Sequence, residues 1–358
     1  MSRLPVSICM IGKNEERYLE ECLQHLMEYE AEIVFVDTGS TDSTKEIAKK
    51  YTDKVYDFEW IDDFSAARNF ATSKASNNWI LSLDCDEYIM NMDVRMLRVY
   101  MQQHLRHVGM MEMKNLYKND NGEQKYRLDQ VPRFYNKNFF EYRFRIHEQI
   151  TPKDAVDLSQ VKLLTYKLPM EVVHHGYNIT PEEMGIKQAR NLRMLESAVG
   201  ETPFDDYIYF QMGQSYASLH QYDHAAKAYL ECIQANDNFE KFFMKQAIIS
   251  YSKVLHELGR YEDEVNMMLH FEDRIQTAEF MFLLGRAFQA TGDQLKALLT
   301  YVKVTQMPDF DSLGEDAYET FIRIMTLHSA SGNMEGLMHF KERMADYGKR
   351  HGREIVFN

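Results

Sequence analysis

The chain has 358 residues, 45% hydrophobic and 27% charged, with a formal net charge of -14. That length suits about two domains of ~100–200 residues, and the acidic balance excludes generic nucleic-acid binding. Four cysteines (Cys9, Cys22, Cys85, Cys232) without C-x-x-C spacing exclude a disulfide framework or a cysteine zinc site and fit a reducing, cytoplasmic setting. No apolar run approaches the ~20 residues of a spanning helix, so no transmembrane segment is predicted.

Residues 6–11 read as a first strand, broken by Gly12-Lys13-Asn14-Glu15-Glu16. Leu19, Cys22, Leu23, Leu26 and Met27 then recur at helical spacing, one apolar stripe of an amphipathic helix. Residues 32–37 form a second strand ending in Asp37. The turn Thr38-Gly39-Ser40-Thr41-Asp42-Ser43 follows, with Ser43 and Glu46 as a possible capping box. Residues 54–58 are a third strand, and Asp62-Asp63-Phe64-Ser65-Ala66-Ala67-Arg68-Asn69 opens a helix reaching about Ser76. Trp79-Ile80-Leu81-Ser82-Leu83 is a buried strand that ends abruptly in Asp84-Cys85-Asp86-Glu87. Strand–helix alternation of this kind predicts an α/β, Rossmann-like domain with a mostly parallel sheet. Ligands of such sheets bind at the carboxyl ends of the strands.

Asp84 and Asp86 stand two apart, on one face if the chain stays extended. Two such carboxylates repel unless a cation or donors lie between them. Hard oxygen ligands of this sort suit Mg²⁺ or Mn²⁺ bridging to a diphosphate. The plainer reading is a turn whose acids cap the next element. Asp37 likewise serves equally as a turn cap, Glu15 as a first-turn helix acid, and Arg68 as an ion-pair partner of Asp62 or Asp63.

Beyond residue 108 the pattern shifts to longer strands, near 108–117 and 129–135, with a turn at Asn119-Asp120-Asn121-Gly122. Between Gln124 and His147 six basic residues face two acids, a local excess suited to a phosphate or an acidic acceptor. From about Ile179 the chain turns helical. Met212-Gly213-x-x-Tyr216 with Tyr229, Ser252-x-x-Leu255 with Gly259, and Leu284-Gly285-x-x-Phe288 with Tyr301 recur at spacings of 39 and 33 residues. Gly332 and Leu337 mark a degenerate last pair. These units resemble tetratricopeptide repeats, whose period is ~34 residues. The expected division is 1–178 for the α/β domain and 179–358 for an all-α helical-repeat domain. That second domain is equally suited to a peptide groove or to a homodimer contact.

The ordered blocks Lys13-Asn14-Glu15-Glu16, Asp37-Thr38-Gly39-Ser40-Thr41-Asp42, Asp63-Phe64-Ser65-Ala66-Ala67-Arg68-Asn69 and Asp84-Cys85-Asp86 resemble family 2 glycosyltransferases of the GT-A fold. The later blocks, Arg133-Phe134, Arg145-Ile146-His147-Glu148 and His174-His175-Gly176-Tyr177-Asn178, resemble the branch that includes S-glycosyltransferases acting on glycocin peptides. The resemblance implies a UDP-sugar donor held by Asn14, Glu15, Asp37, Arg68 and Asp84, and a metal on Asp86. His174, chosen over His175, is the expected third ligand. Glu148 is the expected base of an inverting transfer, with Asp154 and Glu87 as rivals and a structural Arg145–Glu148 pair as the plain alternative. The implied acceptor is a peptide or protein side chain. The rival readings are a cell-surface glycan or lipid-linked acceptor, and a catalytically dead interaction module. The chain also begins directly at its first strand, without the N-terminal extension of some peptide-modifying members, which bears on acceptor choice.

Overall fold

The structure is a computed structural model. It describes residues 3–118, 124–157, 161–175, 180–201, 205–235 and 241–357. The chain divides into two compact units, Met1–Phe204 and Asp205–Asn358. The expected division at 178/179 falls outside the described residues, and helix α5 (Pro181–Ala198) counts with the first unit.

In the first unit the strands β1 (Val6–Gly12), β2 (Glu32–Asp37), β3 (Val55–Asp57) and β4 (Trp79–Leu83) lie parallel, in the order β3-β2-β1-β4. They are separated in sequence by α1 (Leu19–Met27), α2 (Thr44–Lys49) and α3 (Phe64–Lys74). The near-continuous apolar runs of β1, β2 and β4 are explained by burial on both faces. Val6, Ile8, Met10, Phe35 and Leu81 share one core with Leu19, Cys22, Leu23 and Leu26 of α1. Cys9, Val34, Val36 and Ile80 share the other with Ala71 of α3. Met27, expected on the apolar stripe of α1, is exposed. Asp63 caps α3 by accepting from the Ala66 N–H at 2.8 Å. Ser43 starts α2 without a side-chain cap; Asp42 accepts from the Thr44 N–H instead, at 3.0 Å.

Past β4 the sheet is mixed, with both parallel and antiparallel pairs. Strands β5 (Glu87–Met92), β6 (Val108–Lys118), β7 (Gln124–Asn136), β10 (Thr165–Lys167) and β11 (Met170–His174) complete it, with α4 (Val94–Gln103) between β5 and β6. The order continues β4-β7-β6-β11-β5, with β10 beside the start of β6. β7 runs antiparallel to both β4 and β6. The β6–β7 ladder slips between Gly109 and Met110, whose partners are Phe134 and Pro132, so Arg133 is the extra residue of a bulge. A separate hairpin, β8 (Phe140–Arg143) with β9 (Gln149–Pro152), completes the unit.

The second unit is all-α: α6 (Asp205–Ser218), α7 (Tyr222–Ala235), α8 (Phe242–Glu257), α9 (Tyr261–Phe271), α10 (Ala278–Ala290), α11 (Gln294–Val304), α12 (Glu315–Ala330) and α13 (Met334–Arg350). Gly213 lets the Tyr229 ring pack where a Cβ would sit 2.6 Å from it, and Gly285 does the same for Tyr301 at 2.7 Å. In the intervening pair Ser252 takes the small position, donating to Glu264 Oε1 at 2.7 Å, with Met268 Sδ 3.2 Å away where the other two pairs have an aromatic ring. The hairpin turns use His220, Gly259, Gly292 and Gly332, all at positive φ. The small–aromatic interlock expected from the repeats is the packing observed between α6 and α7 and between α10 and α11.

Candidate active site

The carboxyl ends of β1, β2 and β4 carry three loops that interlock. Asn14, at φ 59°, donates its N–H to Ser40 Oγ at 3.0 Å and accepts from the Thr41 N–H at 2.8 Å. Glu16 accepts from the Ser43 N–H at 3.0 Å. Asp37 is buried, and its carboxylate accepts from the Gly39 and Ser40 N–H groups. The turn-cap role of Asp37 is thus realised. Thr44 Oγ1 accepts from the Glu15 N–H at 2.7 Å. Burial, then Asp86 and Asp84, push the Glu15 carboxyl up to about 7.

Asp84-Cys85-Asp86 is a turn rather than extended chain, with the Glu87 N–H donating to Asp84 O at 3.2 Å. The two aspartates therefore do not share one face. Asp84 receives Arg68 Nη2 at 2.9 Å on one oxygen and Arg133 Nη2 at 2.7 Å on the other. Arg133 also donates to Glu87 Oε1 at 2.6 Å, and Glu87 Oε2 accepts the Asp84 N–H at 2.9 Å. Arg68 further donates from Nη1 to Ser82 Oγ at 3.0 Å and from Nε to Glu148 Oε1 at 2.7 Å. Burial raises the Asp84 carboxyl, but Arg133 and Arg68 overcome it and hold it well below the usual carboxylate range. At Glu87, which is 1% exposed, burial wins over Arg133 and the carboxyl is raised.

Two plain alternatives are corrected here. Arg68 does not pair with Asp62 or Asp63: Asp62 accepts from Trp60 Nε1 and Asp63 caps α3. Arg145 pairs with Glu201 at 3.0 Å, leaving Glu148 to Arg68. The Asp63–Asn69 block is a clamp on the β8–β9 hairpin. Ser65 Oγ donates to Phe144 O at 2.6 Å, the Phe64 N–H to Arg145 O at 2.8 Å, and Asn69 exchanges two bonds with the Tyr142 backbone. The hairpin loop it grips holds Phe144 and His147 at positive φ and ends in Glu148. Of the rival bases, Asp154 is exposed and pairs with Arg106, whereas Glu87 is buried under Arg133.

Asp86 faces the other way. His174 Nε2 lies 3.3 Å from its Oδ2. The His175 ring packs on Tyr88 at 4.6 Å instead, and the His175 backbone N–H donates to the Asp86 backbone oxygen at 3.0 Å. Burial draws the His174 imidazole down, but the Asp86 bond and charge raise it above its ordinary value. The remainder of that block, Gly176-Tyr177-Asn178, lies outside the described residues. Among the described residues no cluster of three or more His, Cys, Asp or Glu is placed to hold a metal ion.

Arg133 is the side chain of this cluster to which the sequence assigned no role. Its signal was weak, a basic residue within a basic stretch. The bulge that carries it arises from pairing with Gly109 and Met110 of β6, distant in sequence, and bulges commonly re-aim side chains beside sites.

Residues 7–154 match the family described as Glycosyl transferase family 2. Over 85 residues the chain is 44% identical to a TPR repeat-containing protein of Synechococcus elongatus, covering 24% of this chain and 21% of that protein. It is 36% identical over 89 residues to the lipopolysaccharide core biosynthesis glycosyltransferase LpsC of Rhizobium meliloti, covering 24% and 33%. It is 24% identical over 260 residues to the SPbeta prophage-derived glycosyltransferase SunS of Bacillus subtilis, covering 67% of this chain and 56% of that protein. The chain thus spans from about a fifth to just over half the length of these relatives. Among solved structures, MamA from Desulfovibrio magneticus RS-1 aligns over 48% of this chain and 94% of its own, at 15% identity and a TM-score of 0.38. The first unit of the chain carries a glycosyl transferase family 2 domain, at residues 7–154.

Proposed function

We propose that this chain is a metal-dependent, inverting glycosyltransferase that moves a sugar from a UDP-sugar to a peptide or protein side chain. The observation that carries this reading is the family 2 domain with the Asp84-Cys85-Asp86 turn inside it. Mn²⁺ or Mg²⁺ fits the donor set beside that turn. Two ligands at neighbouring octahedral positions, each ~2.1 Å from the ion, lie about 3 Å apart. Asp86 Oδ2 and His174 Nε2 are 3.3 Å apart. Mg²⁺ ordinarily takes only one or two protein carboxylates and completes its shell with phosphate oxygens and water. A bound ion would supply Lewis-acid stabilisation of the departing diphosphate.

The remaining roles fall to the chain's own groups. Asp84, held by two arginines, accepts from ribose hydroxyls, and Asn14 and Glu15 line the mouth of β1 beside it. Asp37 accepts from the base while it caps its turn, and Arg68 orients Asp84 and Glu148 together. Glu148, with one oxygen anchored by Arg68, takes the acceptor proton as general base. The likeness to SunS over two thirds of the chain supports keeping the helical unit in the account, as the acceptor platform or a homodimer contact. A second reading, transfer to a cell-surface glycan, is favoured by the match to LpsC.

The test is a panel of nucleotide-sugars, with and without Mn²⁺, scored by calorimetry and by slow hydrolysis to the nucleoside diphosphate. The expected result is Mn²⁺-dependent turnover of a UDP-sugar that Asp86→Ala abolishes with circular dichroism unchanged. Failure to bind any nucleotide-sugar overturns the reading. Full activity of Asp86→Ala, or of wild type in excess EDTA, overturns the metal assignment.

A further inference from the structure

His174 sits at the end of a hydrogen-bond relay whose polarity can be deduced link by link. The register places Asn115 of β6 directly opposite His174 of β11. Asn115 is 2% exposed. Its Nδ2 donates to Asp129 Oδ2 at 2.8 Å, its Oδ1 lies 2.6 Å from His174 Nδ1, and His174 Nε2 faces Asp86 Oδ2 at 3.3 Å. Asp129 Oδ2 also accepts from Arg127 at 2.7 Å.

A carboxylate only accepts, so the side of the Asn115 amide that meets Asp129 must be its NH₂. The oxygen then faces His174, and the atom that meets an amide oxygen at 2.6 Å must carry a hydrogen. His174 Nδ1 therefore carries a hydrogen. Nε2, turned toward the Asp86 carboxylate at 3.3 Å, carries a second hydrogen while the imidazole is protonated, and loss of that proton to an incoming cation leaves the lone pair on Nε2. With the amide reversed, two acceptors would confront each other at Asp129 and the imidazole would be driven to the opposite tautomer.

We propose that Asn115, anchored by Asp129, is a positioning residue that locks His174 as the Nδ1–H tautomer and makes Nε2 its metal-ligating atom. The proposal rests on the reading that Asp86 and His174 hold the ion. It assigns Asn115 and Asp129, on strands β6 and β7, an outer-shell function of the kind that orients ligating histidines elsewhere.

The experiment measures Mn²⁺ affinity of the full chain by calorimetry in four proteins besides wild type. Asn115→Leu removes the acceptor and is expected to weaken Mn²⁺ binding by ~10–100-fold. Asp129→Asn leaves the Asn115 amide without a fixed orientation and also weakens it. The double variant Asn115→Asp with Asp129→Asn exchanges the two groups. The carboxylate now on β6 would accept from both His174 Nδ1 and the amide now on β7, and affinity returns to within a few-fold of wild type. A change that merely loosened the sheet would not be rescued by this exchange. Independently, long-range ¹H–¹⁵N correlation on histidine-labelled wild type at high pH is expected to show the Nδ1–H form at His174. Wild-type affinity in Asn115→Leu, no recovery in the exchanged pair, or an Nε2–H spectrum overturns the proposal. His174→Ala separates the two layers. Unchanged Mn²⁺ affinity there overturns the ligand reading beneath the proposal, and the tautomer spectrum still decides the relay itself.

Discussion

Replacing Arg133 with methionine tests whether the arginine–carboxylate cluster is what lets Glu87 sit inside the first unit. Arg133 is the guanidinium bonded to Glu87, and it also holds an oxygen of Asp84. Its side chain is 13% exposed and that of Glu87 is 1% exposed. Removing one partner of a buried pair strands the other charge and costs ~3–5 kcal/mol. Arg133→Met is therefore expected to lose about that much at pH 7, and Arg133→Met with Glu87→Gln to regain ~1–3 kcal/mol through their coupling. The assay is urea unfolding followed by tryptophan fluorescence. Both tryptophans, Trp60 and Trp79, lie in the first unit, so the signal reports that unit alone. The pH dependence has a definite sign. Glu87 already has its folded carboxyl raised, first by burial. Without Arg133 it rises further above the unfolded value of ~4.3. A raised carboxyl costs stability at pH values where the unfolded chain is ionised, and protonation relieves that cost. The deficit of the variant should therefore shrink as pH falls from 8 toward 5. A loss under ~1 kcal/mol, or a deficit that grows on acidification, would refute the reasoning.

Glu148→Gln keeps a bond to Arg68 but cannot take a proton, so turnover should fall by ~10²–10⁴ while UDP-sugar and Mn²⁺ affinities stay near wild type. Unchanged turnover would remove Glu148 from the role and leave Glu87 and Asp154 to be tested. In the helical unit, Gly285→Ala places a methyl 2.7 Å from the Tyr301 ring and should cost that unit ~1–3 kcal/mol. Far-UV circular dichroism should report the loss with the tryptophan transition unmoved; an unchanged helical transition would argue against the interlock.

Much of the first unit was legible because burial on both faces leaves a plain mark. Residues 6–11, 32–37 and 79–83 are strands in both sequence and structure, and α1 follows its stripe except at Met27. The repeats were legible for a related reason: a glycine sixteen residues before an aromatic, as in Gly213 and Tyr229, is needed wherever two helices touch that closely. The stretch 137–174 was not legible. β8 alternates buried and half-buried over only four residues, and β10 has three, too few for periodicity to register. The extended Asp84–Asp86 geometry was misjudged because β5 begins at Glu87, which forces a turn where continued strand was assumed.

Which acid at the end of β4 would meet a cation could not be read from the run Asp84-Cys85-Asp86-Glu87 itself. The answer depends on where compensating charge arrives. Arg68 and Arg133 come from 16 residues before Asp84 and 49 after it. Together they carry two positive charges against Asp84, Glu87 and Glu148, all three of which they bond. No arginine reaches Asp86 among the described ion pairs; its partner is a histidine that can give up its proton. A divalent ion placed between Asp84 and the guanidiniums would face two fixed positive charges, whereas one placed between Asp86 and His174 would face none among those ion pairs. The same division accounts for the donor on the proposed reading. A nucleoside diphosphate needs a cation to offset charge on its bridging oxygens, while its ribose needs an acceptor that stays ionised. Asp84, held below the usual carboxylate range by its arginines, meets the second need, and Asp86 is left for the first. Two aspartates of one short motif thus acquire different chemistry from the strands and helices that come to lie against them.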